Sequence, residues 1–144
     1  ELEPDWMMQN YHVNAVGPAL VAKHFLPIMA KQGPNCFAVL SARVGSISDN
    51  SLGGWHSYRA SKSALNMLIR NIAIEWQRKN PQSVIVGLHP GTVETALSAP
   101  FKGNPAHERF TPARAAENLL GVLQQLKPEQ SGQIFAYDGT PIAP

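Results

Sequence analysis

The chain's order of elements turns on one stretch. It begins Cys36-Phe37-Ala38-Val39-Leu40-Ser41, passes through a polar, Gly-rich loop from Arg43 to Gly54, and resumes as Ser57-Tyr58-Arg59-Ala60-Ser61-Lys62. The first six residues form a short, nearly continuous apolar run, the pattern of a strand buried on both faces. From Trp55 or Ser57 to about Lys79 the period changes. Leu65, Leu68, Ile69, Ile72 and Trp76 recur along one side, Arg70, Glu75, Arg78 and Lys79 lie elsewhere, and Asn80-Pro81 ends the helix this implies. Val84-Ile85-Val86-Gly87-Leu88-His89 is a second buried-strand run, stopped by Pro90-Gly91.

Working outward, Trp6, Tyr11, Val13, Val16, Leu20, Val21, Phe25, Leu26 and Ile28 predict a helix from Pro4 to Gln32, stopped by Gly33-Pro34. Gly17-Pro18 should kink it or split it in two, because Pro18 brings no N–H to the carbonyl four residues back, that of Asn14. Residues from about Leu97 to Phe110 read as a mobile loop. Thr111-Pro112 opens a helix to about Leu126, Gly132 to Tyr137 makes a last strand, and Asp138-Gly139 turns the chain towards a Pro-rich end. Helix and strand alternate three times. That order implies an α/β fold, with right-handed crossovers and a parallel sheet covered by helices on both faces.

The 144 residues suffice for one domain with a core. With 12 Lys+Arg against 10 Asp+Glu, a net charge of +2 and no long basic block, there is no electrostatic footprint for nucleic acid or an anionic membrane. No apolar run approaches the roughly 20 residues of a membrane helix. A single cysteine, Cys36, excludes an intrachain disulfide framework and a Cys-rich zinc module, and reads as a small core residue. It fits a reducing compartment, with cytoplasm as the default. The histidines at 12, 24, 56, 89 and 107 lack compact metal-ligand spacing, so no metal site is expected. The chain starts with Glu1 and shows no signal segment, as though it began in the middle of a longer sequence.

The chemistry points to Tyr58 and Lys62, one helical turn apart and on the same face. A phenol with an ordinary pKa of about 10 is a poor proton donor or acceptor at neutral pH, whereas an ammonium held nearby favours the phenolate. A three-unit shift requires roughly 4 kcal/mol of differential interaction. Such a pair suits general acid or base work on an alcohol or carbonyl. The competing reading is a helix that merely contains a packed Tyr and a solvated Lys. Trp55, His56 and Phe101 either line a pocket or pack, and Arg109 and Arg114 read as solvated surface.

Tyr58-x-x-x-Lys62, the Ser-containing strand end before it, Val13-Asn14-Ala15-Val16-Gly17 and Pro90-Gly91-Thr92-Val93-Glu94-Thr95 occur in the order found in short-chain dehydrogenases/reductases. The chain resembles that family from end to end. Ser41 to Ile47 and Gly53 to Lys62 are most similar to its branch of C-factor-like proteins and sniffer-type carbonyl reductases.

The resemblance implies the C-terminal part of a Rossmann-like doubly wound parallel sheet, about three strands alternating with long helices. Residues 1–144 would then be a single partial domain carrying the catalytic Tyr-Lys helix. It also implies hydride transfer between a nicotinamide, NAD or NADP, and a small carbonyl or alcohol substrate. Tyr58 would be the acid in reduction and the base in oxidation. Lys62 would bind the nicotinamide ribose and lower the phenol's pKa, and Asn14 would hold a water through its main chain. Pro90, Gly91, Val93 and Thr95 would form the shelf beside the nicotinamide.

The family's substrate-binding serine falls three residues before Gly45, where this chain has Ala42, so Ser41 is ranked ahead of Ser46 as its substitute. The Gly-rich turn that receives the pyrophosphate does not occur in these 144 residues. Two classes of function therefore remain: an NAD(P)-dependent oxidoreductase represented by its catalytic half and inactive as an isolated chain, or a non-enzymatic scaffold for self-association or ligand binding. The helices ending near Gln32 and Lys79 suit a homodimer or homotetramer. A half-sheet also leaves a strand edge to be paired or swapped.

Overall fold

The computed structural model describes residues 2–29, 31–96, 98–99 and 108–144. The long N-terminal helix is realised in pieces: α1 (Pro4–Tyr11), a π-helical turn (His12–Val16), α2 (Gly17–Phe25) and a 3-10 turn (Leu26–Ile28). The break therefore falls one turn before Pro18 and carries Asn14, and the Gly17 N–H reaches back to the His12 carbonyl. Widening the helix here accommodates a proline that cannot close the ordinary bond to Asn14. The helical run stops at Ile28 rather than Gln32.

Strand β1 (Asn35–Leu40) pairs in parallel with β2 (Ser83–His89), and β2 pairs in parallel with the short β5 (Ile134–Ala136). A strand absent from the sequence reading, β6 (Pro141–Ile142), folds back antiparallel on β5 through the Asp138-Gly139 turn, giving the order β1-β2-β5-β6. Between β2 and β5 lie β3 (Thr92–Val93) and β4 (Arg109–Phe110), a separate parallel pair, and α4 (Pro112–Gln125). The expected loop from Leu97 thus ends in a strand. Its stretch 100–107, with Phe101 and His107, lies outside the described residues. Thr111 caps α4 as expected, its hydroxyl accepting from the Arg114 N–H at 3.3 Å.

The 22-residue α3 (His56–Gln77) crosses one face of the sheet. Leu65, Ile69 and Ala73 pack there with Ala22 and Leu26 against Ile85, Ile134, Ala136 and Ile142. On the opposite face Val122, Leu119 and Leu123 of α4 cover Val84, Val86, Leu88 and Phe135. Strand β2 is buried on both sides because both layers meet over it. Gly87 permits this closeness, since a Cβ there would stand 2.5 Å from Ile134 Cδ1 and 3.0 Å from Ile69 Cδ1.

Strand β1 corrects the sequence reading. Phe37 and Val39 pack against the α2/α3 core, but Cys36, Ala38 and Leu40 on the other face are exposed. Helix α4 lies over β2 and β5 and leaves that face of β1 uncovered among the described residues. Cys36 is accordingly exposed rather than a core residue. The outer edge of β1 has no strand partner among the described residues.

Candidate active site

The first half of α3 is clamped onto the segment that leaves β1. Arg59, Lys62, Ser63 and Asn66 recur at helical spacing and share one face. Lys62 is only 8% exposed, and its Nζ donates to the Leu40 carbonyl at 3.1 Å. An Arg59 guanidinium nitrogen donates to the Val44 carbonyl at 3.3 Å, and the Ser63 hydroxyl donates to the Gly45 carbonyl at 2.7 Å. The Ser41 hydroxyl donates to Asn66 Oδ1 at 2.5 Å.

Gly45 makes this approach possible: a Cβ there would lie 2.9 Å from both the backbone carbon and the Cβ of Lys62. Gly45→Ala is expected to lift the 3-10 turn off α3 and to lower folding stability by about 1–3 kcal/mol. Urea unfolding checks this, and an unchanged midpoint would contradict the clamp.

Tyr58 is half-buried in the first turn of α3. Lys62 Nζ lies 5.8 Å from the centroid of its ring. The structure also brings Asn14 to this place: its side-chain amide donates to the Ser61 hydroxyl at 3.1 Å, and that hydroxyl donates to the Tyr58 carbonyl at 2.8 Å. Ser61, fully buried, thus ties the π-helical turn to the Tyr-Lys turn. Sequence reading gave it no role, although a serine four residues before Leu65, in line with Ile69 and Ala73, was the available signal.

The electrostatics correct one expectation. Burial pushes the Tyr58 phenol up and the Lys62 ammonium down, so the chain by itself favours a protonated phenol. The lowering of Tyr58 expected from Lys62 does not prevail here, because desolvation of the half-buried phenol outweighs it.

Ser41 and Ser46 are likewise committed elsewhere. Ser41 is buried with its hydroxyl on Asn66. Buried Ser46 accepts from the Asp49 N–H at 3.1 Å and donates to the Pro144 carbonyl at 3.4 Å, where the chain's last strand docks on this loop. In an extended strand Ser41 and Ala42 point to opposite faces, so the hydroxyl at 41 serves the helix layer. Ala42 itself is extended and buried at the start of the 3-10 turn.

The shelf residues lie at the carboxyl end of β2. Gly91 has φ +76°, and a Cβ there would meet Phe110 at 2.8 Å and Tyr137 at 2.9 Å, so glycine is required on both counts. Phe110 and Tyr137 stack edge-to-face with centroids 4.7 Å apart. Beyond this turn the Val93 carbonyl accepts from the Ser98 hydroxyl, and the Thr95 hydroxyl accepts from the Ser98 N–H at 3.4 Å. Pro90, Gly91 and Val93 thus lie on the turn and short strand that follow the carboxyl end of β2, with Thr95 just beyond. The sequence contains no counterpart for the pyrophosphate.

His89 ends β2 on the α3 side of the sheet. Its Nδ1 is sealed from water and has no hydrogen-bond partner among the described residues. Burial and the Arg43 guanidinium lower its pKa from 6.5 to about 4, with Asp138 opposing. A folded-state value below the unfolded one means stability that is complete above pH 6.5 and is lost as pH falls through about 4. That loss is expected to reach up to about 3 kcal/mol. Urea unfolding at pH 7 and pH 4 should show a smaller loss in His89→Asn; equal losses would refute this account.

Among the described residues no helix is long and apolar enough to cross a membrane. A family model described as enoyl-(acyl carrier protein) reductase matches residues 1–137. The chain is 33% identical to C-signal of Myxococcus xanthus over 94% of its own length and 77% of that protein. Its fold superposes on the carbonyl reductase Sniffer of D. melanogaster with a TM-score of 0.83 and 26% identity, covering 99% of this chain and 58% of that one. An NADPH-bound carbonyl reductase from chicken fatty liver gives a TM-score of 0.83 and 29% identity, covering 98% and 58%. The chain thus spans somewhat under three fifths of the two solved enzymes. With the family model spanning residues 1–137 and C-signal matched over most of both chains, the chain belongs to the short-chain dehydrogenase/reductase family.

Proposed function

We propose that the protein containing this chain is an NADP(H)-dependent reductase of small carbonyl compounds, with Tyr58 as the proton donor. The observation that carries this reading is the Tyr58–Lys62 turn, wired to Asn14 through Ser61. Pro90, Gly91, Val93 and Thr95 would hold a dihydronicotinamide, whose chemistry when bound would be hydride donation. Burial keeps the Tyr58 hydroxyl protonated at neutral pH, the form needed to hand a proton to the substrate oxygen. Lys62 would hold the ribose and keep a positive charge beside the phenolate left by that transfer, and Val93 and Thr95 would hold the carboxamide. The chicken carbonyl reductase named as NADPH-bound supports NADP(H) over NAD(H).

Residues 1–144 alone are expected not to turn over, because their sequence has no Gly-rich turn to receive a pyrophosphate. The exposed apolar side chains Val13, Phe25 and Met67 on the helical layer support a homodimer or homotetramer. The one cysteine supports a cytoplasmic setting.

Oxidation of NADPH in the presence of a carbonyl compound tests the reading. Consumption is expected from the protein containing this chain, and none from residues 1–144 alone. Consumption that persists without the Tyr58 hydroxyl would sink the assignment.

A further inference from the structure

We propose that Trp55 is the specificity-determining wall of this site and selects flat, conjugated or aromatic carbonyl substrates over saturated ones; this rests on the reading of Tyr58 as proton donor. Among the described residues Trp55 is the only non-glycine residue with positive φ, at +47°. It follows Gly53 and Gly54, which also have positive φ and open space around them, and it precedes the first residue of α3. A bulky residue is strained in this conformation, and glycine would relieve the strain. The indole is nevertheless 56% exposed, so core packing does not account for its presence.

Arg59 packs against the Trp55 ring. The Arg59 guanidinium lies 5.9 Å from its centroid and is itself anchored on the Val44 carbonyl, in the loop leaving β1. Arg59 therefore ties the two ends of the β1–α3 connection together and braces an aromatic surface three residues before Tyr58. Arg59 Nε is buried without a hydrogen-bond partner among the described residues. A braced indole next to a proton donor recognises a substrate by its π-face.

The test is an NMR titration that needs no turnover. The Trp55 indole N–H resonance, assigned by its loss in Trp55→Phe, is followed with NADP+ present as acetophenone or cyclohexyl methyl ketone is added. Acetophenone is expected to move the Trp55 signal and not that of Trp76, and to bind at least fivefold tighter than the saturated ketone. Trp55→Gly should abolish that preference while melting no lower than the wild type, and Trp55→Phe should keep it. An unmoved Trp55 signal, or the same preference in Trp55→Gly, would overturn the proposal. Selective binding without Tyr58-dependent NADPH oxidation would instead refute the proton-donor reading and leave the aromatic wall standing.

Discussion

Tyr58→Phe is expected to lower NADPH-dependent carbonyl reduction by the protein containing this chain about 10²–10⁴-fold, the contribution of a positioned general acid. The substitution removes one oxygen. The Tyr58 hydroxyl makes no hydrogen bond among the described residues, and the contact of its ring with Lys62 is kept by phenylalanine. Stability should therefore change by no more than about 0.5 kcal/mol. A loss of activity at unchanged melting temperature cannot then be ascribed to the fold. The pH dependence supplies a second readout. Burial raises the phenol, so the acid form persists through neutral pH, and reduction should fall only as pH rises through the raised value. Activity that stays within tenfold in Tyr58→Phe would remove Tyr58 from the chemistry.

Ala42→Ser is expected to raise kcat by about 10²–10³-fold, the amount a single donor to a developing alkoxide is worth when one is lost elsewhere. The resemblance puts the family's serine at Ala42, and two observations leave that place unfilled: Ser41 is spent on Asn66, and Ser46 is spent on Asp49 and Pro144. The backbone of Ala42 is extended, with φ −152° and ψ 144°, which serine adopts freely. The companion variant Ser41→Ala separates the two roles. It leaves Asn66 Oδ1 without its donor, so it should cost about 1–3 kcal/mol of stability and leave kcat within a few fold. A large fall in kcat in Ser41→Ala, or no gain in Ala42→Ser, would return the donor role to Ser41.

The parts of the site that sequence made legible are those in which spacing and contact coincide. Tyr58 and Lys62 share a turn, so their proximity follows from helix geometry. Asn14 stood out through the Gly17-Pro18 break beside it. Ser61, Asn66 and Arg59 were not legible, because each matters through a partner far along the chain: Asn14, Ser41 and Val44. Ser41 was misplaced for the same reason, since alternation says that two neighbours face opposite sides but not which side holds the helix. Strand β6 escaped notice because two residues beginning with a proline carry no period; pairing with β5 through the Asp138-Gly139 turn makes them a strand.

Alternating apolar runs of helical and strand period, punctuated by Gly-Pro, Asn-Pro and Pro-Gly, determined by themselves that this is an α/β chain with a Tyr-Lys turn on its central helix. Local spacing suffices there because main-chain geometry converts it directly into faces and turns. Only the tertiary structure decided which apolar surface is covered, leaving Cys36, Ala38 and Leu40 open while β2 is closed on both sides. It alone decided that the hydroxyls of Ser41 and Ser46 are already taken and that burial, not Lys62, governs the Tyr58 phenol. Burial and hydrogen-bond partners depend on which distant segments meet, and no local pattern encodes that meeting.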